Sequence, residues 1–147
     1  MCRFWGIISE VKTSTAPLKG ERMKRILMVD DDEDLRIRCL NELSKEGYHV
    51  YPVSSGLEAL KFIDQEPSVD LIILDLKMTP MDGIEVLEEL RRKNVTVPVI
   101  IYSGHAGYKN NFETWLADAF VVKQSDLSEL KDKIKELLSS KETDLIV

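Results

Sequence analysis

Residues 69–75 read VDLIILD, an apolar run that ends at the carboxylate of Asp75. The run is short, rich in branched residues and without regular polar alternation, which is typical of a strand buried on both faces of a sheet. Residues 26–29, ILMV, repeat this pattern, because they also stop at acids, Asp30 and Asp31. Two such strands predict a parallel sheet with helices packed on both sides.

The rest of the regular sequence extends this scheme. Further strands are predicted where apolar residues are contiguous, at 48–53, 97–102 and 119–122. Apolar residues at helical spacing predict helices around 35–43, 59–63, 84–90 and 127–138. Right-handed crossovers then limit the α/β fold to a few doubly wound orders.

Three local features refine the prediction. Pro52 cannot donate to a sheet ladder, so the strand at 48–53 is expected at an edge. Ser125 or Asp126 is expected to cap the last helix. Residues 104–118 carry the weakest pattern, with a short helix expected at 112–116.

Composition limits the functions open to this chain of 147 residues. A hydrophobic fraction of 44% is enough for one packed core. The net charge of -6 opposes electrostatic binding to nucleic acid or to an anionic membrane. The two cysteines, Cys2 and Cys39, are too few for a disulfide scaffold, and Cys39 is expected in the core. No apolar run approaches the ~18 residues of a membrane span, so we expect a cytoplasmic protein.

Polar side chains stand at the carboxyl ends of four predicted strands. Asp30 and Asp31 end the first strand, Asp75 ends the third, Ser103 the fourth and Lys123 the fifth. Any one of them alone could simply be solvated where a strand meets water. Together they lie at the edge where doubly wound sheets bind their ligands.

This set of groups suits phosphoryl transfer. Carboxylates held close together repel one another, and Mg2+ relieves the repulsion because it prefers oxygen ligands. A carboxylate can act as the nucleophile and form an aspartyl phosphate, while an ammonium and a hydroxyl stabilise the transferred group. The remaining acids of the run, Asp32, Glu33 and Asp34, are assigned to the start of the following helix.

These segments resemble the receiver domains of bacterial two-component response regulators. The resemblance covers residues 23–140 and rests on the acidic pair, on Gly83 eight positions after Asp75, and on the strands that end at Ser103 and Lys123. It implies a flavodoxin-like, five-stranded parallel sheet of order 2-1-3-4-5. It also implies a switch that a sensor histidine kinase or a histidine phosphotransfer protein phosphorylates and that a downstream protein reads.

The resemblance also implies a role for each acidic residue of the site. Asp75 would accept the phosphoryl group and share in binding Mg2+. Asp31 would bind the metal directly, and Asp30 would bind it through water. The backbone carbonyl of Lys77 would complete the protein ligands.

Further roles concern the phosphoryl group after transfer. Lys123 would pair with its oxygens, and Ser103 would donate a hydrogen bond to it while Phe120 turns inward. Lys77 and His105 follow Asp75 and Ser103 by two positions, near the path of an attacking water in this family. Neither is a water-activating acid or amide, so we expect slow self-dephosphorylation.

The chain departs from the family pattern at two loops. Thr79 stands where the family usually has proline, and Pro80 follows one position late. Gln124 follows Lys123 where the family usually has a proline, often after a cis bond. A cis bond before a non-proline residue costs ~3 kcal/mol, so a trans bond is expected here.

The two ends of the chain are expected to lie outside the receiver. Residues 1–22 have no regular pattern, and Met23 is where receivers usually begin. We expect 1–22 to be a disordered extension or a mis-assigned start, since residues 19–21 (KGE) are also what a ribosome-binding site spells when translated. The alternative is a docking segment. Residues 141–147 form a short tail without room for an output domain, which favours a stand-alone regulator.

Three other functions fit this sequence less well. A flavodoxin would need a phosphate loop without the five acids of residues 30–34, which would repel a phosphate. A phosphatase with an aspartyl intermediate usually carries a second acid two residues after its nucleophile, where this chain has Lys77. A receiver that is never phosphorylated would not need every side chain of the site.

Overall fold

The computed structural model describes residues 22–66, 68–104 and 116–146, with side chains described as far as residue 139. The elements are β1 (Arg25–Val29), α1 (Glu33–Lys45), β2 (His49–Val53), α2 (Gly56–Gln65), β3 (Leu71–Leu74), α3 (Gly83–Arg92), β4 (Val99–Ser103), β5 (Ala119–Val122) and α4 (Ser128–Ile146). Residues 1–21 of the predicted extension and residues 112–115 of the helix predicted at 112–116 lie outside the described residues. Helix α4 continues past residue 140, where the sequence predicts the receiver to end.

The strands form one parallel sheet in the order β2-β1-β3-β4-β5. The predicted fold class and strand order are therefore confirmed. Strand β3 begins later than expected, at Leu71, although the backbone N–H of Asp70 still donates to the carbonyl of Arg25 at 2.8 Å. Strand β4 begins at Val99 and includes Ser103, and it starts only after Pro98, which has no N–H to donate.

Two apolar cores cover the two faces of the sheet. Along β1, Ile26 and Met28 pack on the side of α1 and α4, whereas Leu27 and Val29 pack on the side of α2 and α3. This alternation follows from the period of two in a strand. Cys39 is fully buried on the first side, as predicted. Because both faces are covered, polar groups can gather only at the ends of the strands.

Strand β2 lies at the edge of the sheet, as Pro52 predicted. His49 donates its N–H to Lys24 at 2.9 Å, and Val53 accepts from Asp30 at 3.2 Å, so these residues bond inward to β1. The alternation of the ladder turns the backbone of Val50 and Pro52 outward. The missing N–H of the proline therefore costs no hydrogen bond within the sheet.

Carboxylates begin several of the helices. The side chain of Asp32 accepts from the N–H of Leu35 at 3.3 Å, which confirms its assignment as a cap. The predicted cap of the last helix is wrong by one or two positions, because α4 begins at Ser128 and Leu127 occupies the cap position. Asp126 still accepts from the N–H of Ser128 at 3.1 Å, so it satisfies the helix start from one residue further out.

The two loops that depart from the receiver pattern differ in their peptide bonds. The Thr79–Pro80 peptide bond is cis, and the Lys123–Gln124 bond is trans, as its sequence predicts.

Within the described part of the chain, none of the helices is both long and apolar enough to cross a bilayer.

Candidate phosphoryl-transfer site

The site is built where two neighbouring strands leave the sheet. Val29 pairs with Leu74 in the parallel register, so the next residues, Asp30 and Asp75, emerge side by side. The N–H of Asp75 donates to the carbonyl of Val29 at 3.0 Å and fixes this arrangement. Asp30 is fully buried, Asp75 is 4% exposed and Asp31 is exposed. One carboxylate oxygen from each of the three lies within 4.8 Å of the others.

Lys123 brings a cation to these carboxylates from the other side of the site. Its Nζ lies 2.8 Å from Asp30 Oδ2 and 3.4 Å from Asp75 Oδ1. Its backbone N–H donates to the carbonyl of Ser103 at 2.8 Å, which holds the end of β5 against the end of β4. The ring of Tyr102 lies 5.9 Å from the same Nζ, within cation–π range.

The electrostatics of the site are unbalanced. Burial and then the neighbouring charge of Asp30 raise the pKa of Asp75 to about 6, against the opposing effect of Lys123. Burial alone would lower the pKa of Lys123, but its hydrogen bonds and charge interactions with Asp30 and Asp75 raise it instead. One ammonium is thus shared between two buried carboxylates, with Asp31 adding a third acid at the rim.

This donor set fits Mg2+. Three carboxylates provide hard oxygen ligands, and a small divalent cation of this kind is usually held by one or two carboxylates together with water and phosphate. The open side at Asp31 leaves room for such additional ligands, since that residue is exposed. Burial of like charges beside one another is costly unless a cation neutralises them.

Ser103 and Phe120 lie on the same face of the sheet. Ser103 is fully buried at the end of β4 and is in register with Val122, the residue before Lys123. Phe120 is half-buried, in register with Ile101, and packs on the side of α2 and α3. Ser103 and Phe120 therefore lie on neighbouring strands, offset by two residues in the register.

The loop after Asp75 is held tightly against the site. The backbone N–H of Lys77 donates to Asp75 Oδ1 at 3.4 Å, and Lys77 as a whole is exposed to solvent. A Cβ on Gly83 would lie 2.2 Å from the carbonyl oxygen of Asp75, so α3 can begin here only with glycine. His105, the other predicted rate-tuning residue, lies outside the described residues.

The sequence did not single out Arg36, which also touches the site. Its Nη1 donates to the carbonyl oxygen of Asp30 at 2.7 Å, and the residue is half-buried. The available signal was a basic residue shortly after the acid run, on the helix that follows. Such a residue reads equally well as a solvated helix side chain, so the sequence alone does not identify it.

Comparison with known proteins identifies relatives of this arrangement. The family model described as "Response regulator receiver domain" matches residues 26–135. The response regulator protein TrrA from Thermotoga maritima, solved in complex with Mg(2+)-BeF, is 40% identical with a TM-score of 0.76, and the match covers 79% of this chain and 100% of that one. A second structure, of histidine kinase ThkA in complex with TrrA, matches with 40% identity, a TM-score of 0.74 and coverage of 79% and 99%.

Curated sequences give a similar result. Sporulation initiation phosphotransferase F of Bacillus subtilis is 32% identical over 120 residues, which covers 80% of this chain and 96% of that protein. Other relatives are longer than the matched region. For example, the transcriptional regulatory protein PhoP of B. subtilis is 32% identical over 124 residues, and this chain spans 50% of its length.

Proposed function

Because the chain belongs to the response regulator receiver family, we propose that it takes a phosphoryl group onto Asp75 in the presence of Mg2+ and signals in that state. The family is phosphorylated by histidine kinases of two-component systems. The observation that carries the proposal is the cluster of Asp30, Asp31 and Asp75, two of which, Asp30 and Asp75, are paired with Lys123.

The chemistry assigned to Asp75 is a nucleophilic displacement. One of its carboxylate oxygens attacks the phosphorus of a phosphohistidine, a P–O bond forms, and the P–N bond to the donor imidazole breaks. Mg2+ supplies positive charge to the carboxylates and the transferred group when it is bound. Lys123 is placed to exchange its contact with Asp75 for one with a phosphoryl oxygen, since its Nζ lies 3.4 Å from that carboxylate.

Asp30 and Asp31 are the metal-binding residues in this proposal, together with Asp75 and the carbonyl of Lys77. Ser103 donates its hydroxyl hydrogen to a phosphoryl oxygen, and Phe120 follows this movement toward the interior. The positions of Ser103 and Phe120 on one face of the sheet support this coupling. Lys77 and His105 are proposed to slow the attack of water on the acyl phosphate.

The partners follow from the same site. We infer a sensor histidine kinase or a histidine phosphotransfer protein as donor, since one structural relative is in complex with a histidine kinase. A stand-alone role in which the phosphorylated chain contacts a target protein or passes the group onward is supported by the match along 96% of a phosphotransferase.

A small acyl phosphate or phosphoramidate donor tests the proposal without a kinase. Intact mass should show one added phosphoryl group with Mg2+ and none after chelation. Asp75→Asn should remove the signal, while Asp70→Asn, at the other end of the same strand, should retain it. Full labelling of the Asp75→Asn protein would remove Asp75 as the acceptor.

A pair of neighbouring variants tests the metal assignment. Asp31→Asn should weaken Mg2+ binding far more than Asp32→Asn, because Asp32 is engaged at the start of α1. Calorimetric titration with Mg2+ measures both. Equal losses in the two variants would refute the division of roles within the acid run.

A further inference from the structure

A basic side chain of α1 contacts the backbone of the acidic pair. Arg36 donates from Nη1 to the carbonyl oxygen of Asp30 at 2.7 Å, a short, charge-assisted hydrogen bond. The contact spans the turn from β1 into α1, which carries Asp31 between a buried residue and a helix cap. Arg36 itself is half-buried, and the cation paired with the Asp75 carboxylate is Lys123.

The turn is anchored on both sides of Asp31. The backbone N–H of Asp30 donates to Val53 at 3.2 Å and its carbonyl accepts from Arg36, so both polar groups of that residue are held. The N–H of Asp32 donates to Asp30 Oδ1 at 2.9 Å. The direction in which Asp31 leaves the chain is thereby set by its neighbours, although its own side chain is exposed.

The charge of Arg36 also acts on an acid of the next helix. Glu58 on α2 accepts from the N–H and the hydroxyl of Ser54 at 2.9 and 3.1 Å. These bonds lower the pKa of Glu58, and the nearby charge of Arg36 lowers it further. Arg36 therefore has a direct hydrogen bond to the carbonyl of Asp30 and a charge interaction with Glu58.

We propose that Arg36 is a positioning residue for the metal site, which holds the peptide of Asp30 so that Asp31 reaches the cation. This inference rests on the proposed function, because it concerns the Mg2+ of that site. The sign of the effect separates positioning from simple charge. A guanidinium near the site repels a divalent cation, so loss of its charge alone would tighten Mg2+ binding, whereas loss of positioning weakens it.

The test compares Arg36→Gln with Arg38→Gln. Arg38 is the matched control, because it lies on the same helix, carries the same charge and donates to a backbone carbonyl outside the acidic pair, that of Gln124 at 3.4 Å. Calorimetry with Mg2+ alone should give a several-fold larger dissociation constant for Arg36→Gln and an unchanged or smaller one for Arg38→Gln, which loses charge without losing the contact to Asp30. Labelling of Arg36→Gln by a small phosphodonor should recover toward the wild-type rate at saturating Mg2+.

Arg36→Lys is the conservative variant, since it keeps the charge and an N–H donor. Thermal unfolding without Mg2+ checks that every variant is folded. Arg36→Lys should bind Mg2+ with an affinity between wild type and Arg36→Gln. If Arg36→Gln bound Mg2+ as tightly as wild type or more tightly, the positioning role would be overturned and the proposed function would stand. Absence of Mg2+ binding to the wild-type protein would overturn both this inference and the metal part of the proposed function.

Discussion

The two ends of the sheet treat their carboxylates in opposite ways. At the amino end, Asp70 accepts from Arg22 at 2.8 and 2.9 Å and from the N–H of Arg25 at 2.8 Å. At the carboxyl end, Asp75 shares the ammonium of Lys123 with Asp30. The first arrangement matches each acid with directed donors, whereas the second buries more negative than positive charge.

Asp118 extends the pattern of the amino end. It accepts from the N–H of Val99 at 2.8 Å and from Arg91 at 3.3 Å, so it joins the entrances of β4 and β5. Acids with full sets of donors stabilise a fold, and buried acids without them are typical of functional sites. The comparison therefore assigns stability to one end of the sheet and chemistry to the other.

The largest expected effect is a gain in stability when the excess charge is removed. Without Mg2+ at neutral pH, Asp75→Asn should raise the free energy of unfolding by on the order of 1–3 kcal/mol, because the ionised carboxylate is disfavoured by burial and by Asp30. Denaturant unfolding measures this gain. The matched substitution at the amino end, Asp70→Asn, should have the opposite sign.

The same effect should depend on pH. The pKa of Asp75 is raised from 3.8 to about 6 in the folded chain, so its favourable contribution is complete below the lower value and is lost as pH rises through the higher one. The stability gap between Asp75→Asn and wild type should therefore open between these two values and level off above them. A gap that is constant across this range would contradict the raised pKa.

The next effect is a loss at the amino end. Asp70→Asn should destabilise the protein by about 1 kcal/mol, since it breaks a charge pair that is partly exposed on the side of Arg22. Urea unfolding measures the loss, and high salt should reduce it. If Asp70→Asn were as stable as wild type, the claim that the acids at the amino end stabilise the fold would be contradicted.

A smaller effect concerns the start of the chain. A chain that starts at Met23 loses the Arg22 pair, so its melting temperature should fall by no more than Arg22→Ala lowers it in the full-length chain. Its labelling with a small phosphodonor should be unchanged, because Arg22 is at the end of the sheet away from Asp75. A larger fall than in Arg22→Ala would show that residues 1–21 pack on the domain.

The smallest expected effect concerns the lifetime of the phosphorylated form. If the long side chain of Lys77 screens the acyl phosphate, Lys77→Ala and Lys77→Asn should both lose phosphate faster than wild type, and Lys77→Asn more so because an amide can orient water. The measurement is the decay of the label after removal of the donor. One common rate for all three proteins would exclude a protective role for Lys77.

The sequence predicted the features that depend on local pattern. The edge position of Pro52 and the meeting of Asp30, Asp31, Asp75 and Lys123 follow from apolar runs and from what ends them. The pattern alone left a few doubly wound strand orders open, and the resemblance to receiver domains implied the observed one. Parallel strands bring their carboxyl ends together, so a residue next to a strand end is placed by the topology alone.

The features that the sequence missed depend on side-chain reach between separate elements. Arg22 and Asp70 are 48 positions apart and carry no shared pattern. Arg36 faces the carbonyl of Asp30 only because the turn between β1 and α1 has a particular path. The start of α4 was misplaced for a different, local reason, since Asp126 accepts from the N–H of Ser128 although it lies one residue before the cap position.

The most direct test is to locate the phosphoryl group chemically. After labelling with a small phosphodonor and Mg2+, borohydride reduction converts an aspartyl phosphate to homoserine, and peptide mass spectrometry then identifies the modified residue. We predict homoserine at position 75, directly after residues 71–74, and an unmodified Asp70. Homoserine at position 30 or 31 with an intact Asp75, or a phosphoryl group that resists reduction, would contradict the assignment of the site.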